Sequence, residues 1–458
     1  MKNVVPALFL LLSPWLALGC NAAPESTIPR HIVLITIDTL RADYLGFHDY
    51  PRPTSPFLDG LAERSVVFER AYSSSSHTGP SHASLMTSLQ PAQHRLLQNG
   101  ERLNPKVRTL AAVLQEAGYR TAAFTVVSFL EGVSKGFQDF HPGKDILSAE
   151  EVLSSARAWI ARQPPETPVF VWVHLFDVHE WHNDDFLDTE AVEAMRGEAP
   201  TGDDLLNFLV EEYGLPEKGL HREKVMDAIH RYDGQIRTTD RSLRRFYEQL
   251  GAGGFHDDAL WIITADHGEG LGNHNAMGHG IHIYNEQLHV PLLMHAPEAT
   301  DLLQRRVKQP VALVDVVPTI TDWLGVEWSP HQADSQGRSL MPLLAGGKID
   351  REDAPIFAQR RPMTDHQRQN GWEEGEVYAL QSARRKLIVH LSRRHEYFDL
   401  VADPRELNNL FDLEKDEQST LLRRTVRHYR QLIEGGEVIG SGEINEDYVE
   451  ELEALGYL

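Results

Sequence analysis

Residues 32–38 (IVLITID) form a nearly unbroken run of apolar, mostly β-branched side chains. Such a run is typical of a strand that is buried on both faces, as in a parallel sheet. Similar runs recur at residues 120–127, 169–176, 260–264 and 290–295, and helical patterns lie between them at 107–117, 149–161 and 232–250. This alternation predicts an α/β fold in which a large sheet is sandwiched by helices.

The pattern changes beyond about residue 350. Short strand-like segments at 376–381, 386–391 and 396–400 are followed by a charged helical segment at 413–434. We therefore expect a catalytic domain over residues 30–350 and a smaller, antiparallel C-terminal subdomain over 351–458. The polar segment 183–225 is interpreted as an insertion over the sheet edge.

The charge balance limits the possible partners. The chain of 458 residues has 67 acidic and 44 basic residues, and its formal net charge is −23. Such a field repels the phosphates of nucleic acids, so we expect no nucleic-acid partner. An anionic substrate is still compatible with this charge, because a local cation can dominate one pocket.

The single cysteine lies directly behind an apolar N-terminal run. Residues 1–20 combine a lysine, a short apolar segment and Gly19-Cys20, as a secretory signal does. The sequence LALGC resembles a bacterial lipobox, so residues 1–20 are predicted to be a lipoprotein signal peptide with Cys20 as the lipidated residue. Asn21 behind it favours a lipid anchor in the outer membrane facing the periplasm, and residues 21–29 are interpreted as a tether. Simple secretion with cleavage near Ala22 is the alternative.

Polar groups suited to metal chemistry follow several of the predicted strands. Asp38 ends the first strand, Asp177 and His179 follow the third, and Asp266 and His267 follow the fourth. Each of these residues alone is commonly structural. Because ligands bind beyond the carboxyl ends of strands in open α/β sheets, their joint occurrence predicts a divalent-metal site with oxygen and nitrogen ligands. A hydroxyl-bearing segment, 78–82 (TGPSH), could supply a metal-activated nucleophile.

These motifs resemble the sulfatase family within the alkaline phosphatase superfamily, over nearly the whole chain from Ile32 onward. The resemblance implies that family's large mixed sheet and its C-terminal antiparallel subdomain, and a hydrolase that acts on anionic esters. The segments that carry it are 37–43 (IDTLRAD), 78–87 (TGPSHASLMT), 174–179 (HLFDVH), 265–269 (ADHGE), 278–280 (GHG), 290–292 (VPL), 315–319 (DVVPT), 403–410 (DPRELNNL) and 454–457 (ALGY).

The resemblance also implies roles for individual residues. The expected ligands of the divalent ion are Asp38, Asp266 and His267, with the hydroxyl oxygen of the nucleophile Thr78 beside the ion. His179 and His279 are expected to contact the ester anion or to protonate the leaving oxygen. His82 is expected to orient or stabilise the nucleophile. Lesser roles are expected for Thr39 as a weak ligand at best, for Glu269 and Arg41 as supporting residues, and for Asp43 as a cap.

Two residues depart from the family pattern. Sulfate-ester hydrolases usually have Cys or Ser at the nucleophile position, which becomes formylglycine, and the secondary alcohol of Thr78 cannot give that aldehyde. This favours a phosphate or phosphonate ester as the substrate, attacked to form a covalent Thr78 intermediate. His267 replaces a common Asn, and imidazole favours one Mn²⁺ or Zn²⁺ ion, with Ca²⁺ and Mg²⁺ as further possibilities. A second ion at Asp177, His179 and His279 is the rival arrangement.

Three other functions remain compatible with the sequence. The protein could hydrolyse sulfuric esters without formylglycine, or transfer the phosphoryl group to an alcohol. It could also be a catalytically inactive lipoprotein that binds an anionic ligand.

Overall fold

The computed structural model of the chain describes residues 28–143, 146–216, 222–297, 305–328, 336–349, 355–361, 363, 375–390, 393–412, 414–435 and 440–444. The predicted signal peptide with Cys20, most of the tether and the motif at 454–457 lie outside these residues. No helix in the described part of the chain is both long enough and apolar enough to cross a membrane.

An eight-stranded mixed sheet forms the centre of the protein. Its spatial order is β8-β2-β7-β6-β1-β5-β3-β4, where the strands in chain order are β1 His31–Ile37, β2 Val66–Phe68, β3 Arg120–Phe124, β4 Asp139–His141, β5 Val169–Leu175, β6 Ala259–Ala265, β7 Leu292–His295 and β8 Arg306–Val307. All neighbouring strands run parallel except β7, which is antiparallel to both β6 and β2. The predicted large mixed sheet is thus confirmed.

Strand β1 lies in the middle of this sheet, and all seven of its residues are buried. Successive side chains of a strand point to opposite faces, so complete burial means that both faces of the sheet are covered. The predicted strand at 290–295 is divided at Pro291. His289–Val290 pairs with Ala71–Tyr72 in a separate small sheet, and only Leu292–His295 joins the large one. Proline has no N–H for a strand ladder, which explains the break.

The α-helices of seven or more residues are α1 Pro56–Ala62, α2 Thr78–Thr87, α3 Leu110–Glu116, α4 Ala149–Ile160, α5 Thr189–Gly197, α6 Gly202–Tyr213, α7 Arg222–Gly251, α8 Val316–Leu324 and α9 Asp416–Gly435. Helix α7 starts ten residues before the predicted start at 232 and packs against α4 and α5. The predicted insertion at 183–225 therefore consists largely of helices α5 and α6, with the start of α7.

A four-stranded antiparallel sheet follows near the C-terminus, as predicted. Its strands, in both chain and spatial order, are β9 Ile356–Arg360, β10 Val377–Gln381, β11 Arg385–His390 and β12 Glu396–Asp399. One face, with Ile356, Ala358, Val377, Ala379, Ile388 and Phe398, packs against core residues of the main domain such as Tyr284. The other face packs under α9 through Tyr429 and Leu432. The alternation of side chains in β9 to β11 explains this two-sided packing.

Candidate active site

The register of the central strands brings the two acidic candidates together. Ile37, the last residue of β1, lies opposite Leu175 of β5 and Ala265 of β6. The residues that come next, Asp38 and Asp266, therefore leave the sheet side by side at its carboxyl edge. Both side chains are fully buried.

Asp38, Asp266 and His267 offer ligand atoms that all lie within 4.8 Å of one another. His267 Nδ1 is 2.9 Å from the carbonyl oxygen of Gly268, which can only accept, so Nδ1 carries the proton and Nε2 presents a lone pair. That lone pair faces Asp266 Oδ2 at 3.4 Å and Asp38 Oδ1 at 3.9 Å. Neither oxygen has a hydrogen-bond partner among the described residues. Two unpaired carboxylate oxygens that converge with an imidazole lone pair fit a divalent cation.

The electrostatics of the pair support the same interpretation. Burial and the neighbouring Asp266 carboxylate raise the pKa of Asp38 to about 7. Burial also raises the pKa of Asp266, but His267, His82 and His174 outweigh it and hold that pKa below its usual value. Buried carboxylates this close are costly unless a positive charge lies between them, so the residues fit a bound cation.

Thr78 is the first residue of α2. Its Oγ1 is 3.4 Å from Asp38 Oδ2 and 3.3 Å from His267 Nε2, so the hydroxyl faces the cluster. Ser81, one turn further along α2, donates a 2.6 Å hydrogen bond to the carbonyl oxygen of Asp266. This contact fixes the start of α2 against the strand end that carries Asp266.

His82 lies behind Thr78 and does not touch its hydroxyl. Its Nδ1 donates to the Thr78 carbonyl oxygen at 2.8 Å, and its Nε2 is 3.0 Å from Thr36 Oγ1. Burial and the neighbouring His174 lower the pKa of His82 to about 3, so Nε2 accepts the Thr36 hydroxyl proton. Thr36 Oγ1 in turn accepts from Trp172 Nε1 and from His174 Nδ1. These bonds hold His82 in place and link it to His174, whose Nε2 is 3.2 Å from Asp38 Oδ2.

His179 and His279 lie beside the cluster. Their ring centroids are 5.2 Å apart, and the His279 ring is 4.6 Å from that of His267. Glu269 Oε2 is 3.4 Å from His279 Nδ1 and accepts from Trp181 Nε1 at 3.1 Å. Burial lowers the pKa of His279, but the Glu269 carboxylate outweighs it and raises that pKa. A protonated His279 suits an acid that faces an anionic ester.

The residues around Asp38 have structural roles, with one correction. Thr39 has φ 57°, its hydroxyl donates to the Asp38 carbonyl oxygen, and its N–H donates to Asp266 Oδ1 at 3.3 Å. Its hydroxyl is thus bonded back to the chain. Arg41 joins Glu269 O and Asn273 Oδ1, in keeping with a supporting role. The expectation that Asp43 is a cap is wrong, because its carboxylate pairs with the Arg41 guanidinium at 2.7 Å.

The rival second-ion site receives no support from Asp177. Its Oδ1 accepts from the backbone N–H of Ala149 at 3.1 Å, at the start of α4. In the part of the chain that the structure describes, the histidine and acidic side chains form one group of ligand atoms close enough for an ion, and Asp177 is not in it. The geometry favours a single ion.

Three residues near Thr78 were not identified from the sequence. Asn99 accepts from Gly79 N at 2.7 Å, and its buried Nδ2 has no partner within the described ranges. His77 directly precedes Thr78, and Arg361 donates to it from the C-terminal subdomain. The position of His77 beside the nucleophile is the signal that could have drawn attention to it. Arg361 has no local signal, because only the fold brings it there.

Comparison with known families agrees with this geometry. The profile of the sulfatase family matches residues 30–326, which is more than half of the chain. The chain belongs to the sulfatase family. A second profile, described as the C-terminal region of N-sulphoglucosamine sulphohydrolase, matches residues 279–431 of this sulfatase-family protein.

Similar proteins cover most of its length. The multifunctional alkaline phosphatase superfamily protein PehA of Trinickia caryophylli is 24% identical, over 83% of this chain and 91% of the relative. Human N-sulphoglucosamine sulphohydrolase is 27% identical, over 75% of this chain and 70% of the relative. The crystal structure of the phosphonate monoester hydrolase of Agrobacterium radiobacter superposes with a TM-score of 0.67 at 19% identity, over 92% and 98%. The protein is thus a sulfatase-family hydrolase of anionic esters with the family's fold.

Proposed function

We propose that this sulfatase-family hydrolase cleaves phosphate or phosphonate esters through a covalent intermediate on Thr78, with one divalent ion, Mn²⁺ or Zn²⁺, held by Asp38, Asp266 and His267. The observation that carries the proposal is the Thr78 hydroxyl, which faces the lone pair of His267 and the Asp38 carboxylate at 3.3 and 3.4 Å. Two relatives whose names refer to alkaline phosphatase or phosphonate chemistry support it.

In the first step Thr78 Oγ1 forms a bond to phosphorus, and the bond from phosphorus to the leaving oxygen breaks. A divalent cation bound at the site would lower the pKa of the Thr78 hydroxyl and stabilise the negative charge on the transferred group. The Thr78 proton passes to Asp38 Oδ2, its nearest carboxylate oxygen. His279, whose pKa is raised by Glu269, donates a proton to the leaving oxygen.

In the second step water opens the phosphothreonine. His279 is now neutral and takes a proton from the water as its oxygen bonds to phosphorus. The bond from phosphorus to Thr78 Oγ1 breaks, and Asp38 returns the proton to Thr78.

Substitution of Thr78 tests this mechanism on aryl phosphate, phosphodiester, phosphonate and sulfate substrates with Mn²⁺ or Zn²⁺. Thr78→Ala should lower kcat at least about 10³-fold, the scale of losing an activated nucleophile, while Thr78→Ser keeps activity within about tenfold. Mass spectrometry after rapid acid quench should find phosphate on Thr78.

Thr420→Ala, on the distant helix α9, is the matched control and should behave as wild type. Near wild-type rates in Thr78→Ala, or faster cleavage of aryl sulfate than of every phosphorus ester, would contradict the mechanism. Transfer to added glycerol in place of water would instead identify a phosphotransferase.

For location, we propose a lipid-anchored protein of the bacterial cell envelope, facing the periplasm from the outer membrane. Support comes from the lone cysteine, Cys20, directly behind the apolar signal. Cys20→Ala should release the protein from membranes into the soluble periplasmic fraction. Wild-type protein that fractionates as soluble, with a free N-terminus at Asn21 or later, would refute the anchor.

A further inference from the structure

His77 is a buried histidine in which one ring nitrogen is hydrogen-bonded and the other has no partner among the described residues. It directly precedes Thr78, its backbone is extended, and its side chain is 3% exposed. Arg361 Nε donates to His77 Nε2 at 3.0 Å, whereas His77 Nδ1 has no partner among the described residues. Burial of an N–H group without a hydrogen-bond partner is costly. A buried, unpaired N–H next to Thr78 therefore indicates that a bound ligand accepts its hydrogen bond.

The bond from Arg361 fixes which ring nitrogen of His77 carries the proton. A guanidinium Nε–H can only donate, so His77 Nε2 must accept and the ring proton must lie on Nδ1. Arg361 is itself held in place, because its Nη1 donates to Gln98 Oε1 at 3.3 Å and its side chain is buried. The backbone N–H of Gln359, two residues before it, bonds to the carbonyl oxygen of Ser74. The C-terminal subdomain thus presents Arg361 to His77 from a fixed strand.

The Nε2 edge of the His77 ring also faces the loop that carries His279. A Cβ on Gly280 would lie 2.7 Å from the Cε1 and Nε2 atoms of His77, so this loop and the ring are in close contact. Arg361 and Gly280 therefore lie against the same edge of the ring, and neither contacts Nδ1. Because Thr78 is the next residue in the chain, we consider the oxygens of the group that Thr78 attacks as acceptors for Nδ1–H.

We propose that His77 Nδ1–H donates a hydrogen bond to an oxygen of the anionic group transferred to Thr78, and that Arg361 is the positioning residue that fixes this donor. The inference rests on the proposed function for its reaction and adds a substrate contact to it. The ligand is a tetrahedral oxyanion, either in the ester or as the released inorganic anion.

Binding of the released anion tests the contact without turnover. Dissociation constants for inorganic phosphate and inorganic sulfate are measured by calorimetry on the Mn²⁺-loaded full chain, and the tighter anion is used for all variants. His77→Asn places an amide N–H near the position of Nδ1, and His77→Gln places its amide near Nε2. His77→Gln should weaken binding about 10- to 100-fold, the range for one hydrogen bond to a charged group, and His77→Asn less than about threefold.

Arg361→Met tests the positioning role. It should weaken anion binding about three- to tenfold in the wild-type background and have no further effect in His77→Asn, whose amide does not need the tautomer fixed. Stabilisation by Mn²⁺ should be equal in all variants, which separates loss of the contact from loss of the fold.

Equal affinities in His77→Gln and His77→Asn, or an undiminished effect of Arg361→Met in His77→Asn, would overturn the proposal. So would a wild-type protein that binds neither anion. If sulfate binds more tightly than phosphate and the variants keep the same order, the His77 contact is supported. The proposal that the substrate is a phosphorus ester is then contradicted.

Discussion

The pair Asp38 and Asp266 should make the metal-free protein less stable than a variant that lacks one of the two charges. The pKa of Asp38 is raised from 3.8 to about 7, first by burial and then by the Asp266 carboxylate. A group whose pKa is raised by about 3 units on folding lowers the free energy of unfolding by about 4 kcal/mol at pH above that pKa. We therefore expect Asp38→Asn to stabilise the metal-free protein by about 2 to 4 kcal/mol at pH 8, because the neutral amide avoids most of this penalty.

The sign of this effect also predicts its pH dependence. The penalty grows as the pH rises from 3.8 to about 7, because the unfolded carboxyl ionises first and the folded one later. At pH 5 the folded carboxyl of Asp38 is already protonated, so the advantage of Asp38→Asn should shrink there. Urea unfolding at pH 5 and pH 8 in the presence of EDTA measures both values.

Metal addition should reverse the order of stabilities. Mn²⁺ at about a thousand times its dissociation constant stabilises a one-site protein by about 4 kcal/mol, and Asp38→Asn should lose most of this gain. Asp177→Asn is the matched control, because Asp177 is also buried and its pKa is also about 7, yet it lies outside the ligand group. This control should keep the full response to Mn²⁺. An EDTA-treated Asp38→Asn protein no more stable than wild type at pH 8, or one that Mn²⁺ stabilises equally, would refute the reasoning.

Two further predictions concern the histidines. Glu269→Gln removes the carboxylate that raises the pKa of His279, so the alkaline limb of the kcat/KM profile should move to lower pH. An unmoved limb would exclude His279 as the acid. Thr36→Val leaves His82 Nε2 and His174 Nδ1 buried without their shared hydroxyl, and it should lower the free energy of unfolding by about 2 to 4 kcal/mol. Urea unfolding measures this loss. A loss below about 1 kcal/mol would show that water replaces the hydroxyl.

The meeting of Asp38 and Asp266 at one edge of the sheet was predictable because sequence position and sheet register agree. Asp38 and Asp266 each directly follow a buried parallel strand, and strands in register deliver their next residues to one edge. Thr78 was predictable from its motif, but the start of its helix was not. Helix α2 already begins at Thr78, because Pro80 is well tolerated in the first turn of a helix, where its missing N–H costs nothing.

The supporting residues were less accessible from the sequence. Thr36 occupies an interior strand position and has the β-branched shape that a buried strand favours, so nothing distinguished its hydroxyl from a packing group. Asp43 was assigned a cap from its place after a strand, and the ion pair with Arg41 depends on where the Arg41 guanidinium turns. Arg361 contacts a residue 284 positions away, and pairs of that kind exist only once the chain has folded.

The hydrogen bond between Gln359 and Ser74 joins the C-terminal subdomain to the substrate side of the site. Substitutions in this subdomain can therefore change which esters bind. Strand β9 is hydrogen-bonded to the serine-rich segment 73–76 that precedes Thr78. Asp38, Asp266 and His267, in contrast, all belong to the N-terminal domain. Exchange of residues 355–412 with the matching part of a relative would therefore leave the ion's ligands unchanged but alter the wall beside the nucleophile. Chimeras cut at this boundary offer a way to redirect the enzyme toward new esters while its reaction chemistry stays constant.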